Sequence, residues 1–200
     1  MVFQNPDNQI IGTSVEEDVA FGPENKNIEP EKIRKIVETV LRKVKLWDRR
    51  KASPSILSGG QKQRLATADA LAGLPACLVL DEPTAMLDPD SRKEVINIVK
   101  ELNRKEGMTI ILITHHTDAD RIVLMKDGKI IGDDIPKKIF ADYELLKKAK
   151  MDIPPVVELG MRLEKQQIGL EGPVLQEQEM IEKIVKLYRS KCGGKKDAAR

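Results

Sequence analysis

The sequence predicts an α/β fold, a mainly parallel sheet flanked by helices and followed by a C-terminal helical extension. Three observations carry that expectation. Ala76 to Leu80 is a short apolar run that ends abruptly in two adjacent carboxylates, Asp81 and Glu82. Thr109 to Thr114 is a second such run, and the segments around both place apolar residues at helical spacing. A short continuous apolar run suits a buried strand of a parallel sheet, and in such sheets ligands sit beyond the carboxyl ends of the strands. The two acids therefore stand where chemistry is expected.

Bulk properties fit one ordinary domain with a small appendage: 200 residues, of which 40% are apolar and 3% aromatic, so the core must be mostly aliphatic. Acids and bases nearly cancel at +2, which favours neither nucleic acid nor a membrane surface as partner. No apolar run approaches the roughly 20 residues of a membrane helix. Cys77 and Cys192 show no CxxC spacing, which suits a reduced, cytoplasmic protein better than a disulfide scaffold.

Taken in order, the chain opens on Met1 to Pro6, with Gln4 exposed to the bland reading of a polar residue at a frayed end. Ser14-Val15-Glu16-Glu17 has the capping-box form and starts a short helix. Pro30 occupies a first helical position, and Ile33, Ile36, Val37, Val40, Leu41 and Val44 recur at helical spacing; by composition that stripe is core packing. Ser58-Gly59-Gly60 opens onto a helix from Gln61 to Leu71. Such a loop offers unpaired backbone N–H groups and the positive end of a helix dipole to an anion. Pro83 stops the first strand. Ser91 to Arg104 is a helix with Val95, Ile98, Val99 and Leu102 inward and Gly107 as its C-cap.

The second buried strand ends at His115; a lone histidine there is more often structural than functional, and His116 is a bystander, since neighbours on a strand point apart. Arg121 to Met125 and Lys129 to Gly132 read as strands joined by a turn at Asp127-Gly128. Helices follow from Ile135-Pro136 through Phe140, from Tyr143 to Lys148, around Val156, Leu159 and Leu163, and from Gln176 to Ser190. Ile181, Ile184, Val185 and Tyr188 share a face of the last, fit equally for internal packing or for a partner. Residues 191–200 are polar and Gly-containing, the composition of a disordered tail.

These residues carry a resemblance. Leu57 to Gln61 resembles the signature loop of the ATP-binding cassette (ABC) family, Cys77 to Glu82 its Walker B strand, and Met86-Leu87-Asp88 its D-loop. All three in this order and spacing are specific. The wording from Asp81 to Pro89 and the opening from Val2 to Gln9 narrow the likeness to the ATPase subunits of energy-coupling factor transporters, importers of vitamins and of metal ions such as cobalt and nickel.

The resemblance implies a P-loop NTPase-like cassette: a partial ABC ATPase domain over residues 1–134 with a helical subdomain at about 9–57, a helical region over 135–190, and the tail. It implies ATP and Mg2+ as ligands. Asp81 would hold magnesium, Glu82 would act as general base, and Gln4 would contact the metal and the attacking water. His115 would be the switch histidine that senses the γ-phosphate. Ser58, Gly59, Gly60 and Gln61 would bind nucleotide held mainly by a second ABC ATPase subunit, identical or not, and Asp88 would couple the two sites. Further implied partners are a transmembrane coupling subunit and a substrate-binding membrane component, with no nucleic acid, and a peripheral place on the cytoplasmic face of the membrane.

One element of the family's site is not among these residues: G-x-x-x-x-G-K-[ST], the phosphate-cradling loop, occurs nowhere in the 200 residues. In the family it lies upstream of the Phe3-Gln4 position; a shortened product, a displaced start and a fragment all fit. The chain by itself is therefore expected to bind magnesium-ATP poorly, and the apolar face of Leu78 to Leu80 is expected to lie open. Two other readings stand beside the transport ATPase. A non-catalytic cassette would complete a partner's site through Ser58 to Gly60. A soluble cassette of the DNA-repair or translation-factor kind would carry coiled-coil arms or basic surfaces, and the sequence has neither.

Overall fold

A computed structural model of the chain describes residues 1–114, 119–151, 153, 155–170, 174–175 and 177–192. It divides into two compact units, Met1–Thr114 and His115–Arg200.

In the first unit, helix α1 (Val15–Asn25) starts at Ser14, whose hydroxyl accepts the Glu17 N–H at 3.4 Å. Only that half of the expected capping box forms. The Glu17 carboxylate accepts instead from the Thr13 hydroxyl, and that hydrogen bond holds its pKa below the ordinary value. Helix α2 (Pro30–Lys43) begins on Pro30 and ends in Arg42 and Lys43, where cations suit the carbonyl end of the dipole. Its Ile33, Val37, Val40 and Leu41 are buried with Val15 and Val19 of α1 and with Leu65, Ala66 and Ala68 of helix α3 (Gly59–Ala72). Strand β1 (Cys77–Asp81), helix α4 (Pro89–Glu106) and strand β2 (Thr109–Ile113) complete the unit. Gly107 ends α4 at φ +67, the left-handed C-cap that glycine adopts without cost.

β1 and β2 pair in parallel, from Cys77 opposite Thr109 to Asp81 opposite Ile113. On the other edge of β1, Val2 forms a parallel bridge with Leu80: the Val2 N–H donates to the Val79 carbonyl at 2.8 Å, and the Asp81 N–H to the Val2 carbonyl at 2.9 Å. Side chains alternate across this small sheet. Val2, Leu78 and Leu80 are sealed into the core, at 0–1% exposure, whereas Phe3, Ile111 and Ile113 lie on the opposite side at about half exposure. Two expectations are thereby corrected. The Leu78 and Leu80 face is the covered one, and Thr109 to Thr114 is not a buried strand, because helices cover one side of the sheet and leave the other bare.

In the second unit, β3 (Ile122–Lys126) and β4 (Lys129–Asp134) form an antiparallel hairpin whose register shifts between Leu124 and Met125. Its turn, Asp127 and Gly128, has φ of +49 and +73, the paired left-handed residues that match the twist of the strands. Among the described residues four helices follow, α5 (Pro136–Ala141), α6 (Tyr143–Ala149), α7 (Pro155–Lys165) and α8 (Glu177–Cys192). Leu124, Ile139, Phe140, Leu146 and Val157 form the core. Along α8, Ile181, Ile184, Val185 and Tyr188 face outward at 41–68% exposure. Among the described residues no helix is long and apolar enough to cross a membrane.

Candidate functional site

The anion loop is built by a capping box. Ser58 Oγ accepts the Gln61 N–H at 3.3 Å, and Gln61 Oε1 accepts the Ser58 N–H at 2.9 Å. Helix α3 therefore starts at Gly59, two residues before the sequence places it, and Gln61 is committed to the cap rather than pointing outward. The next N–H groups of the first turn, those of Gly59 and Gly60, take no protein acceptor among the described residues. They are the donors an anion would meet.

The two glycines are glycines for different reasons. A Cβ on Gly59 would meet only Leu87 Cδ2, at 3.7 Å, in ordinary contact. One on Gly60 would fall 2.6 Å from both Cβ and Oγ of Ser91. Gly60 is buried, and its missing side chain lets the starts of α3 and α4 touch. Sequence reasoning assigned that openness to the ligand alone.

Asp88 caps α4, its Oδ1 accepting the N–H groups of Asp90 and Ser91 at 3.1 and 3.0 Å. Hydrogen bonding from Ser91 holds its pKa below the ordinary carboxylate value. Ser91 thus links the D-loop aspartate to Gly60 of the anion loop through direct contact.

Asp81 closes β1 and Glu82 follows it off the end of the sheet. Strand alternation does not carry to Glu82, which has a left-handed φ of +44, while its N–H donates to the Ile113 carbonyl at 2.9 Å. A non-glycine residue in that region stores strain that the surrounding structure has to over-determine, as happens at functional positions. Both side chains are half-buried.

Gln4 is exposed and lines a cavity of about 120 Å³ together with Asn5, Gly59, Pro83, Met86 and Leu87. The structure so brings the Gln4 segment, the anion loop and the turn after Glu82 to one place. His115 lies outside the described residues, as do His116, Thr117 and Asp118.

Residues the sequence did not single out tie these pieces together. Lys62, on the first turns of α3, pairs with Asp7 at 2.7 Å. Gln63, 1% exposed, reaches the Phe3 carbonyl at 3.5 Å. A glutamine amid the buried alanines and leucines of α3 was the available signal. Asp18 of α1 is 4% exposed and its Oδ1 accepts the N–H groups of Ile11 and Gly12 at 2.8 and 2.6 Å. Beside it, Asp69 of α3 is half-buried with both carboxyl oxygens shielded from solvent, and that desolvation, then the Asp18 charge, pushes its pKa up to about 9.

The arrangement offers free N–H groups at a helix start, which suit anionic oxygens, and two carboxylates at the end of β1, groups that could hold a hard cation such as magnesium or accept a proton. Among the described residues no group of three or more His, Cys, Asp or Glu side chains is placed to hold a metal ion.

Comparison with known proteins places the chain in a family. The family model for the ABC transporter matches residues 1–85. The energy-coupling factor transporter ATP-binding protein EcfA1 of Caldanaerobacter subterraneus subsp. tengcongensis is 53% identical over 188 residues, covering 92% of this chain and 68% of its own length. The structure of cbiO1 from Clostridium perfringens, described as part of the ABC transporter complex cbiONQ, superposes with a TM-score of 0.67 at 37% identity, covering 82% of this chain and 66% of that one. A dimeric post-hydrolysis state of an ATP-binding cassette bound to ADP and Pi superposes with a TM-score of 0.57 at 30% identity, covering 68% of this chain and 61% of that one. The chain thus spans about two-thirds of the length of the relatives it matches.

Proposed function

Because the chain belongs to the ABC transporter family, among the ATP-binding proteins of energy-coupling factor transporters, we propose that it is an ATP-binding and ATP-hydrolysing subunit that energises import of metal ions or vitamins. The observation that carries this reading is the Ser58-capped start of α3, whose Gly59 shares a cavity with Gln4 and the turn after Glu82. It also fits the relative solved as a dimer with ADP and Pi.

In the proposed mechanism Gly59 and Gly60 donate to phosphate oxygens of a nucleotide held mainly by a second cassette. On its own face the chain offers Asp81 to magnesium, and Gln4 and Glu82 to the attacking water. A bound magnesium ion would neutralise charge on the phosphates. As water attacks the γ-phosphorus, Glu82 takes its proton, the bond from the γ-phosphorus to the bridging oxygen breaks, and ADP leaves with that oxygen. His115 is proposed as the γ-phosphate sensor and Asp88 as the link between sites. Closure of the two cassettes would move a transmembrane coupling subunit, which with a substrate-binding component would place this chain on the inner membrane face. The residue ranges 1–134 and 135–190 are the proposed cassette and extension.

A second reading is favoured by one observation: the anion loop is fully formed at the start of α3. The chain would then complete a partner's site and leave its own acids idle. One experiment separates the two. ATP turnover is measured for the chain assembled with a partner cassette, with Glu82→Gln and Ser58→Arg compared. Loss with both variants supports hydrolysis on this chain; loss with Ser58→Arg alone supports the second reading; no turnover in any assembly, or turnover indifferent to both changes, sinks the proposal.

A further inference from the structure

The segment that carries Gln4 has sheet on one edge only. Val2 directs its N–H and carbonyl to β1, so by strand geometry the carbonyl of Met1 and the N–H of Phe3 face the opposite edge, where no strand lies among the described residues. Gln9 occupies that edge. Its Oε1 accepts the Phe3 N–H at 2.8 Å and its Nε2 donates to the Met1 carbonyl at 3.2 Å. A single carboxamide thereby offers the acceptor and donor pair that a neighbouring strand would.

The chain is turned back to make this possible. Asn5 Oδ1 accepts the Asp7 N–H at 3.0 Å, Pro6–Asn8 forms one tight helical turn, and the Gln9 N–H returns to the Pro6 carbonyl at 3.0 Å. Phe3 is consequently held from both directions, by Gln9 at its N–H and by Gln63 at its carbonyl. Gln4, the next residue, is exposed and outside any regular element, so the peptide units of Phe3 set its direction.

We propose that Gln9 is a positioning residue: its side-chain amide substitutes for a missing edge strand and fixes the Phe3 backbone, and through it aims the Gln4 carboxamide into the site. This rests on the catalytic reading above, in which Gln4 meets metal and water. The chemistry demands both halves of the amide at this length. Asparagine is one methylene short, and glutamate keeps the acceptor for Phe3 but sets an oxygen against the Met1 carbonyl.

The test is ATP turnover of the chain assembled with a partner cassette, across a magnesium titration, with hydrogen exchange of the Phe3 amide read in parallel. Gln9→Ala and Gln9→Asn are expected to lower kcat about tenfold and raise the magnesium midpoint, with KM for ATP little changed, since a small misplacement of a reacting-site group is costly. Phe3 exchange should quicken in both, and Gln9→Glu should fall between them and the parent. Val19→Ala, a core truncation in α1, serves as the comparison for lost stability and should leave the magnesium midpoint in place. An unchanged midpoint in Gln9→Ala, or a fall in kcat that merely follows thermal stability as in Val19→Ala, overturns the proposal. Absence of turnover in the parent assembly instead overturns the catalytic reading, and the positioning role with it.

Discussion

Gly60 and Ser91 pack so closely that a methyl group on Gly60 would stand 2.6 Å from both the Cβ and the Oγ of Ser91. Contact at that distance is not tolerated by real side chains, so either α3 or α4 must shift to admit one. Gly60→Ala should therefore destabilise the chain by about 1–3 kcal/mol through overpacking, despite the gain in helix propensity. Gly59→Ala, whose new methyl meets only Leu87 at 3.7 Å, should leave the melting temperature close to that of the parent. Thermal denaturation of the two variants checks the contrast; equal losses would show that the glycines share one role.

Asp69 predicts an unusual pH response. Its folded pKa is raised to about 9 by burial and by Asp18, against 3.8 for an ordinary aspartate. Between those values the folded chain keeps a proton that the unfolded chain has lost, so this group makes stability fall as pH rises from about 4 through 9, by up to about 1.4 kcal/mol per pH unit. Asp69→Asn carries no such proton. It should gain on the parent by up to about 1.4 kcal/mol for each pH unit above about 4, be the more stable protein at pH 8, and lose its advantage near pH 4. Urea denaturation of both proteins at pH 4, 6 and 8 reads the difference directly; parallel curves would place the proton elsewhere.

Most helices were legible in the sequence because their signals are local. Pro30 at a first position, Gly107 at a C-cap and Asp127-Gly128 in a hairpin turn act within one turn of chain, and each is found as read. The Ser-Gly-Gly loop was likewise legible, although its cap consumes Gln61. What could not be read depends on distant partners. Nothing in Thr109 to Thr114 says that helices cover only one face of its sheet. Gln63 meets Phe3 across 60 residues of chain, and Asp18 meets Asp69 from another helix. At α1 the capping pattern was read from Ser14 and Glu17, but it does not include Thr13, whose hydroxyl donates to the Glu17 carboxylate.

The bare side of the β1 and β2 sheet can be tested by charge. Ile111 and Ile113 are 50% and 47% exposed, while Leu78 and Leu80 on the covered side are 1% and 0% exposed. Ile111→Lys with Ile113→Glu should leave the melting temperature of the 200-residue chain nearly unchanged and raise its solubility. Leu80→Ala should cost about 2–5 kcal/mol. Should the double variant unfold as readily as Leu80→Ala, the outward face would have to be covered in solution.

Asp88 offers a way to separate a structural from a coupling role. Its Oδ1 caps α4 by accepting from Asp90 and Ser91, and Ser91 in turn touches Gly60 at the anion loop. Asparagine caps helices about as well as aspartate, so Asp88→Asn should retain α4 and lose only the interaction of the charge with the helix dipole. Asp88→Ala should lose the cap and melt at a lower temperature. If capping is all that Asp88 contributes, Asp88→Asn will match the parent in ATP turnover by the assembled pair of cassettes, and Asp88→Ala will fall only as far as its stability does. If the carboxylate carries the link between sites, Asp88→Asn will keep its melting temperature yet lose turnover. The expected result is the second, because Ser91 would then transmit a change of charge at Asp88 to the glycine loop without any change of fold. Equal turnover in Asp88→Asn and the parent would reduce Asp88 to a helix cap.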